Sequence, residues 1–298
     1  MAPSRDLNIF LTNPSSTMKI ISDIQPLRQQ IKEWRMQGLT IGFVPTMGNL
    51  HAGHMELVTE ARKRADKVVV SIFVNPMQFG LSEDIDNYPK TLDADKVKLT
   101  AADTDLLFIP TSDVIYPSGF QQNTFVEVPN ISDIHCGKSR PGHFRGVATV
   151  VAKLFNLVQP DLACFGSKDY QQLEVIRTMV ANLSIPVEIV PVKIVRAESG
   201  LALSSRNGYL NDEEMAQAPI LYQTLQWLAE EVKTNKDFDA LSQQAISRIS
   251  RAGLTPDYLN ICHGRTLAMA KAEDKHLVIL ASAFCGKARL IDNIQVNL

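Results

Sequence analysis

The chain has 298 residues, 45% of them apolar, enough to bury one large core or two ordinary ones. Thirty basic side chains against 32 acidic ones leave a net charge of −2, which excludes a global field able to gather nucleic acid or an anionic membrane. No run approaches the roughly 18 apolar residues of a membrane span, and the opening MAPSRDLNIFLTNPSST has only Ile9, Phe10 and Leu11 as a continuous apolar patch, so neither a signal peptide nor an anchor is expected.

Residues 1–17 read as a flexible extension, because the first regular pattern, MKIISDIQPLRQQI, begins at Met18. Ile41 to Val44 is a short apolar run expected to form a strand; a Gly-containing loop, a helical pattern from Met55 to Ala65 and the β-rich VVVSIFV of residues 68 to 74 complete one crossover unit. Further strands are expected at 106–109, 161–165 and 187–190, with helices near 92–101, 146–157 and 170–182. This alternation predicts an α/β fold, a doubly wound, mostly parallel sheet over residues 18–193. Near residue 194 the texture changes. A polar loop, AESGLALSSRNGYL, leads into helical stretches at 212–232 and 237–252 and short strands at 257–262, 277–283 and 288–291, which predict a smaller α+β domain over residues 194–298.

The four cysteines, Cys136, Cys164, Cys262 and Cys285, stand far apart without CxxC spacing and read as reduced, mostly buried thiols, a usage that suits the cytoplasm.

A ligand site in an open parallel sheet forms at the C-terminal ends of its strands, so the loops there are the places to search. After the first of these strands comes Met47-Gly48-Asn49-Leu50-His51-Ala52-Gly53-His54, which enters a helix with free backbone N–H groups suited to an anion. His51 and His54, three apart, can both reach one phosphate chain and donate hydrogen bonds as charge grows on it. Zinc is the other natural reading of HxxH, but the glutamate of HExxH and a third ligand are both missing, so no protein-held metal is expected.

The loop Asn75-Pro76-Met77-Gln78 places uncharged hydrogen-bonding groups among apolar neighbours, which fits a small hydroxy acid with methyl groups. Gly166-Ser167-Lys168-Asp169 again joins a strand to a helix; Lys168 is a compact cation for a phosphate oxygen, and Gln171 or Gln172 on the first turn can point into the same cleft. Leu203-Ser204-Ser205-Arg206 brings two hydroxyls and a guanidinium to the expected domain boundary. Lys138 to Gly146, with three cations, His143 and a Pro-Gly turn, reads as a mobile basic loop before a helix starting near Val147. Gly137-Lys138-Ser139 mimics the end of a P-loop, but its first glycine is replaced by Ser132, and neither GxGxxG nor GxSxG occurs. The residues alone therefore indicate transfer at phosphorus by positioning and charge stabilisation, and leave the acceptor open.

Five segments, PTMGNLHAGH, SIFVNPMQF, RPGHFRGVATVV, FGSKDYQQ and GLALSSRNGYL, occur in the order and approximate spacing of bacterial pantothenate synthetases, and the chain resembles that family from about Met18 to Leu298. The resemblance implies membership of the HxGH nucleotidyltransferase superfamily, a Rossmann-like N-terminal domain, a C-terminal lid and a homodimer. It implies three small-molecule substrates, ATP, pantoate and β-alanine, with Mg2+ accompanying ATP. Pantoate would attack the α-phosphorus to give pantoyl adenylate and pyrophosphate; β-alanine would then displace AMP.

By the same resemblance Met47, Gly48, Asn49, Leu50, His51, Ala52, Gly53, His54, Gly166, Ser167, Lys168, Asp169, Val195, Leu203, Ser204, Ser205 and Arg206 would bind ATP. His51, His54 and Lys168 would be catalytic, Gln78 and Gln172 would hold pantoate, and Gln78 would also reach β-alanine. Ser167 and Ser199 stand where many relatives are acidic. Two other readings are open to the same residues: an HxGH enzyme that leaves AMP on its product, against which the two glutamines and the RPGHFRG loop argue, and a non-catalytic ATP-binding regulator.

Overall fold

The computed structural model describes residues 17–80, 85, 88, 89, 91–119 and 122–298. The extension expected over residues 1–17 therefore lies almost wholly outside the described residues.

The chain begins with β1 (Lys19–Ile21), α1 (Ile24–Met36), β2 (Ile41–Thr46), α2 (Ala52–Arg64), β3 (Lys67–Ile72) and α3 (Leu92–Ala101). It continues through β4 (Leu106–Phe108), two one-turn helices α4 (Ser112–Ile115) and α5 (Cys136–Ser139), α6 (His143–Val158), β5 (Leu162–Gly166), α7 (Tyr170–Asn182) and β6 (Glu188–Val192). The strands form one parallel sheet in the order β1-β4-β3-β2-β5-β6. This is the doubly wound α/β sheet that the alternation predicts.

Both faces of the sheet are covered, which is why its strands read as continuous apolar runs. Ile41, Phe43 and Val69 face a core with Leu27 and Ile31 of α1 and Val147, Val151 and Phe155 of α6. Val44, Val68 and Val70 face the opposite core, against Leu57, Val58 and Ala61 of α2. Strand order reverses between β2 and β5, which pair through Gly42 with Leu162 and Phe43 with Ala163. The loops leaving these two strands therefore diverge and open a crevice at their C-terminal ends.

Three helices follow, α8 (Asp212–Gln217), α9 (Ile220–Thr234) and α10 (Phe238–Arg251), and then three antiparallel strands, β7 (Thr255–His263), β8 (His276–Cys285) and β9 (Ala288–Asn297). Leu221, Leu225, Leu228, Leu241 and Ile249 on the helices pack over Ile261, Ile279 and Leu290 of the strands in a separate core. All four cysteines are free and buried.

Several boundaries differ from the sequence reading. The helical stretch 212–232 is two helices, because Pro219 has no N–H to give the carbonyl four residues back. The last strand runs to Asn297 rather than Ile291, since its whole length pairs with β8. The edge strand β1 is too short to carry a period in the sequence. The basic segment 138–146 is not a loop: Lys138 and Ser139 end α5, Gly142 takes a left-handed conformation (φ 80°) and α6 starts at His143. Gly146 sits inside the helix, where a Cβ would meet the Met77 carbonyl oxygen at 2.3 Å, so only glycine lets α6 lie against the 75–78 turn.

Candidate active site

A cleft of about 1290 Å³, measured with its open mouth, lies at the crevice between β2 and β5. It is lined by Met47, His51, Gly53, His54, Asn75, Gln78, Gly166, Lys168, Asp169, Gln172, Val195, Leu203, Ser204, Ser205 and Arg206, so segments far apart in the chain share one wall or the other. Of the other residues expected to bind ATP, Gly48, Asn49, Leu50, Ala52 and Ser167 stand outside this lining, and Leu50 is buried in the core beneath α2.

The histidine wall is built by an unusual helix start. His51 is the N-cap of α2, and its Nδ1 accepts a hydrogen bond from the Gly53 N–H at 3.1 Å. His54, in the first turn, returns the arrangement: its Nδ1 accepts from the His51 N–H at 3.3 Å. This reciprocal cap starts the helix three residues before the apolar pattern at Met55. Gly53 is required beneath it, since a Cβ there would stand 2.8 Å from Cε1 of His51.

The cap also fixes chemistry. A ring nitrogen that accepts from an amide carries no proton, so in the neutral ring the hydrogen sits on Nε2 of each histidine. Burial, followed by the charge of Lys168, lowers the His51 pKa to about 4. Burial, followed by the neighbouring His51, lowers that of His54 to about 3. The ring centroids are 4.2 Å apart. At neutral pH the wall is thus two uncharged N–H donors rather than a pair of imidazolium acids.

Behind it stands a residue the sequence reading did not single out. Asp95 of α3, 1% exposed, accepts from the Asn49 N–H at 2.9 Å, the Leu50 N–H at 2.8 Å and the Thr91 hydroxyl at 3.1 Å. Lys98, one turn on, donates to the Leu50 carbonyl. A carboxylate satisfied in this way holds the loop in place, including Asn49 in its left-handed conformation (φ 52°).

The floor is a polar network. Asn75 donates to the Gly146 carbonyl at 3.0 Å and to Oε1 of Gln78 at 3.2 Å, and accepts from the Tyr116 hydroxyl at 2.7 Å. Gln78 donates in turn to Sδ of Met47. Burial drives the Tyr116 phenol well above its ordinary pKa, so it stays a hydroxyl donor. His143 and Arg140 both donate to the Gln78 carbonyl, which ties the RPGHFRG segment to this floor rather than leaving it as a basic arm over the cleft. Of the two glutamines on α7, Gln172 lines the cleft. Gln171 is turned away and holds the 131–136 backbone through the carbonyls of Ile131 and Ile134 and the Cys136 N–H.

The cationic wall comes from Lys168, in a single 3-10 turn after β5, and from the 203–206 segment. Ser204 accepts from the Arg206 N–H at 3.2 Å, and the Leu203 N–H donates to the Val195 carbonyl at 2.9 Å. Tyr88, also missed in the sequence, lines the cleft beside Ser205 and Arg206, and burial raises its pKa. Ser167 is buried, its carbonyl accepts from Asn293, and it stands outside the cleft lining.

Loops at the switch point of a doubly wound sheet, with two imidazole N–H donors, a lysine and an arginine lining one cleft, are the kind of site at which an α/β enzyme takes an anionic ligand. Comparison with known proteins carries this further. The sequence model of the pantoate–β-alanine ligase family matches residues 19–295. The pantothenate synthetase of Colwellia psychrerythraea is 63% identical, covering 94% of this chain and 100% of that protein, and that of Shewanella oneidensis is 58% identical over 92% and 98%. The crystal structure of pantothenate synthetase from Thermus thermophilus superposes with a TM-score of 0.88 at 43% identity, covering 94% of this chain and 100% of that one. The Francisella tularensis pantoate–β-alanine ligase, solved with β,γ-ATP and β-alanine, superposes with a TM-score of 0.76 at 34% identity over 93% and 97%. The chain belongs to the pantoate–β-alanine ligase family, and its activity is the ATP-dependent joining of pantoate to β-alanine.

Proposed function

We propose that the cleft carries out this ligation in two steps with the residues placed in it. ATP lies with its phosphates between the histidine wall and the cationic wall, contacted by the members of the expected set that line the cleft: Met47, His51, Gly53 and His54, then Gly166, Lys168 and Asp169, and Val195 with Leu203 to Arg206. Pantoate sits over the polar floor, held by Gln78 and Gln172, and β-alanine later reaches Gln78. In the first step a pantoate carboxylate oxygen bonds to the α-phosphorus, the bond to the bridging oxygen of the β-phosphate breaks, and pyrophosphate leaves. In the second, the β-alanine amine attacks the pantoyl carbonyl carbon, AMP leaves on its phosphate oxygen, and the amine proton is lost.

One observation carries the first step: both imidazoles are anchored through Nδ1, which leaves an Nε2–H donor on each ring in the cleft that Lys168 also lines. Preorganised neutral donors stabilise charge that develops on phosphate oxygens without giving up a proton. Lys168, Ser204, Ser205 and Arg206 supply the complementary donors and charge for the departing pyrophosphate. Asp169 is the one carboxylate among the described residues lining the cleft, and the described residues hold no cluster of three metal-ligating side chains. That donor set fits a Mg2+ carried on ATP's own phosphates with at most one protein carboxylate, and the ion would neutralise phosphate charge there. Residues 194–298 act as a lid in this reading, since 203–206 line the same cleft as 47–54. Family resemblance extends the reading to a homodimer in the cytoplasm; among the described residues no helix is long and apolar enough to cross a membrane.

With Mg-ATP and pantoate alone, the enzyme should exchange labelled pyrophosphate into ATP; AMP release should require β-alanine as well. AMP release with β-alanine but no exchange at any pantoate concentration would overturn the adenylate route.

A further inference from the structure

The turn that carries Lys168 leaves the parallel sheet at Gly166 and is held as well from outside that sheet. Asn293 of β9, 4% exposed and 125 positions away in the chain, uses both amide hydrogens on the turn that carries the lysine: Nδ2 donates to the Ser167 carbonyl at 2.8 Å and to the Lys168 carbonyl at 2.9 Å. Its backbone N–H donates to the carboxylate of its neighbour Asp292 at 2.8 Å. Asp292, itself buried, takes a two-pronged ion pair from Arg196, with Nη1 at 2.6 Å and Nη2 at 2.9 Å. Arg196 also donates to the Gly200 carbonyl and stacks its guanidinium 3.5 Å over the Tyr222 ring. It follows Val195, whose carbonyl takes the Leu203 N–H, and itself bridges to Ala202, so it anchors the segment that ends in Ser204-Ser205-Arg206. Two adjacent residues of one C-terminal strand thus fasten both arms of the wall.

We propose that Asn293 is a positioning residue for Lys168, and that the Asn293–Asp292–Arg196 chain sets the separation of the two phosphate-gripping arms. This rests on the reading that Lys168 contacts the phosphates of ATP. Chemistry restricts the residue: two carbonyl acceptors require two hydrogens from one planar nitrogen, which asparagine has and aspartate lacks. Arg196 is restricted as well, because lysine cannot make a two-pronged contact with a carboxylate.

The test is steady-state kinetics of the full-length enzyme with each substrate varied in turn, alongside melting temperatures. Asn293→Ala should raise the KM for ATP at least tenfold and leave the KM for pantoate within twofold; Asn293→Asp, with a carboxylate facing two carbonyls, should do worse. A merely structural residue would lower the melting temperature and kcat and leave both KM values in place, and that result overturns the proposal. Lys168→Ala separates the premise from the inference. An unchanged KM for ATP and unchanged kcat in Lys168→Ala would sink the phosphate reading itself, whereas a damaged Lys168→Ala beside a kinetically normal Asn293→Ala would sink only the positioning role. Should the Asn293 variants not fold, Arg196→Lys decides: a threefold or greater rise in the KM for ATP alone supports the chain, and no rise overturns it.

Discussion

The two walls of the cleft are made in opposite ways. The histidine wall is assembled within the parallel sheet unit: a reciprocal cap made by residues 51 and 54, a glycine that leaves room for the ring, and Asp95 two elements later. The cationic wall starts at β5 but is fastened from β9, a strand of the C-terminal sheet. Rigid donors therefore belong to one unit and depend on short-range geometry. Lys168 and the 203–206 segment depend on how the C-terminal strands are seated. A wall braced within its own unit is exposed to changes nearby in the chain, whereas a wall fastened from β9 is exposed to changes in a strand more than a hundred residues away.

The largest effects are expected from removing one group from each wall. His54→Ala and Lys168→Ala should each lower kcat by about 100- to 1000-fold, equivalent to roughly 3 to 4 kcal/mol of transition-state stabilisation. A loss under tenfold at either position, measured by pyrophosphate exchange, removes that residue from the catalytic core and its wall with it.

Asp95→Asn tests whether the histidine wall is braced from behind. The amide has one acceptor oxygen where two backbone N–H groups arrive, so one contact becomes donor against donor and is lost, at a cost of about 1.5 to 3 kcal/mol. Activity should fall about 10- to 100-fold with pantoate affinity retained, read from kcat and the pantoate KM. An activity within twofold of the parent would show that the loop holds itself.

The smallest effect expected is on stability. The folded pKa of His54 lies below its unfolded value near 6.5, so above that pH both states are neutral and the ring contributes no pH dependence. As pH falls from 6.5 toward about 3, the unfolded state takes up the proton first and stability is lost, by about 2 kcal/mol at pH 5. His54→Gln should flatten that part of a melting temperature against pH curve. A variant with the parent's slope between pH 7 and 5 would show that His54 is not buried neutral.

Much of this was legible in the chain. Buried strands such as VVVSIFV announced themselves because both faces of the sheet are covered, and the histidine pair stood out because its spacing is local. Asp95 did not. Asp93 and Asp95 both fall in the first turn of α3, Asp95 is buried under the loop, and nothing in LDADKVKL says which of the two turns inward. The same holds for Gln171 and Gln172, adjacent and chemically identical, of which one braces a loop and the other lines the cleft.

The sequence by itself determined the sheet, the switch-point loops and the types of group they carry, since period, caps and glycines act over a few residues. Only the tertiary structure decided which ring nitrogens hold hydrogens, that the 138–146 segment is folded onto Gln78 rather than free, and that Lys168 is held by Asn293. Those facts are contacts between residues from 2 to 125 positions apart, set by distance and direction in space, and no pattern along the chain encodes either.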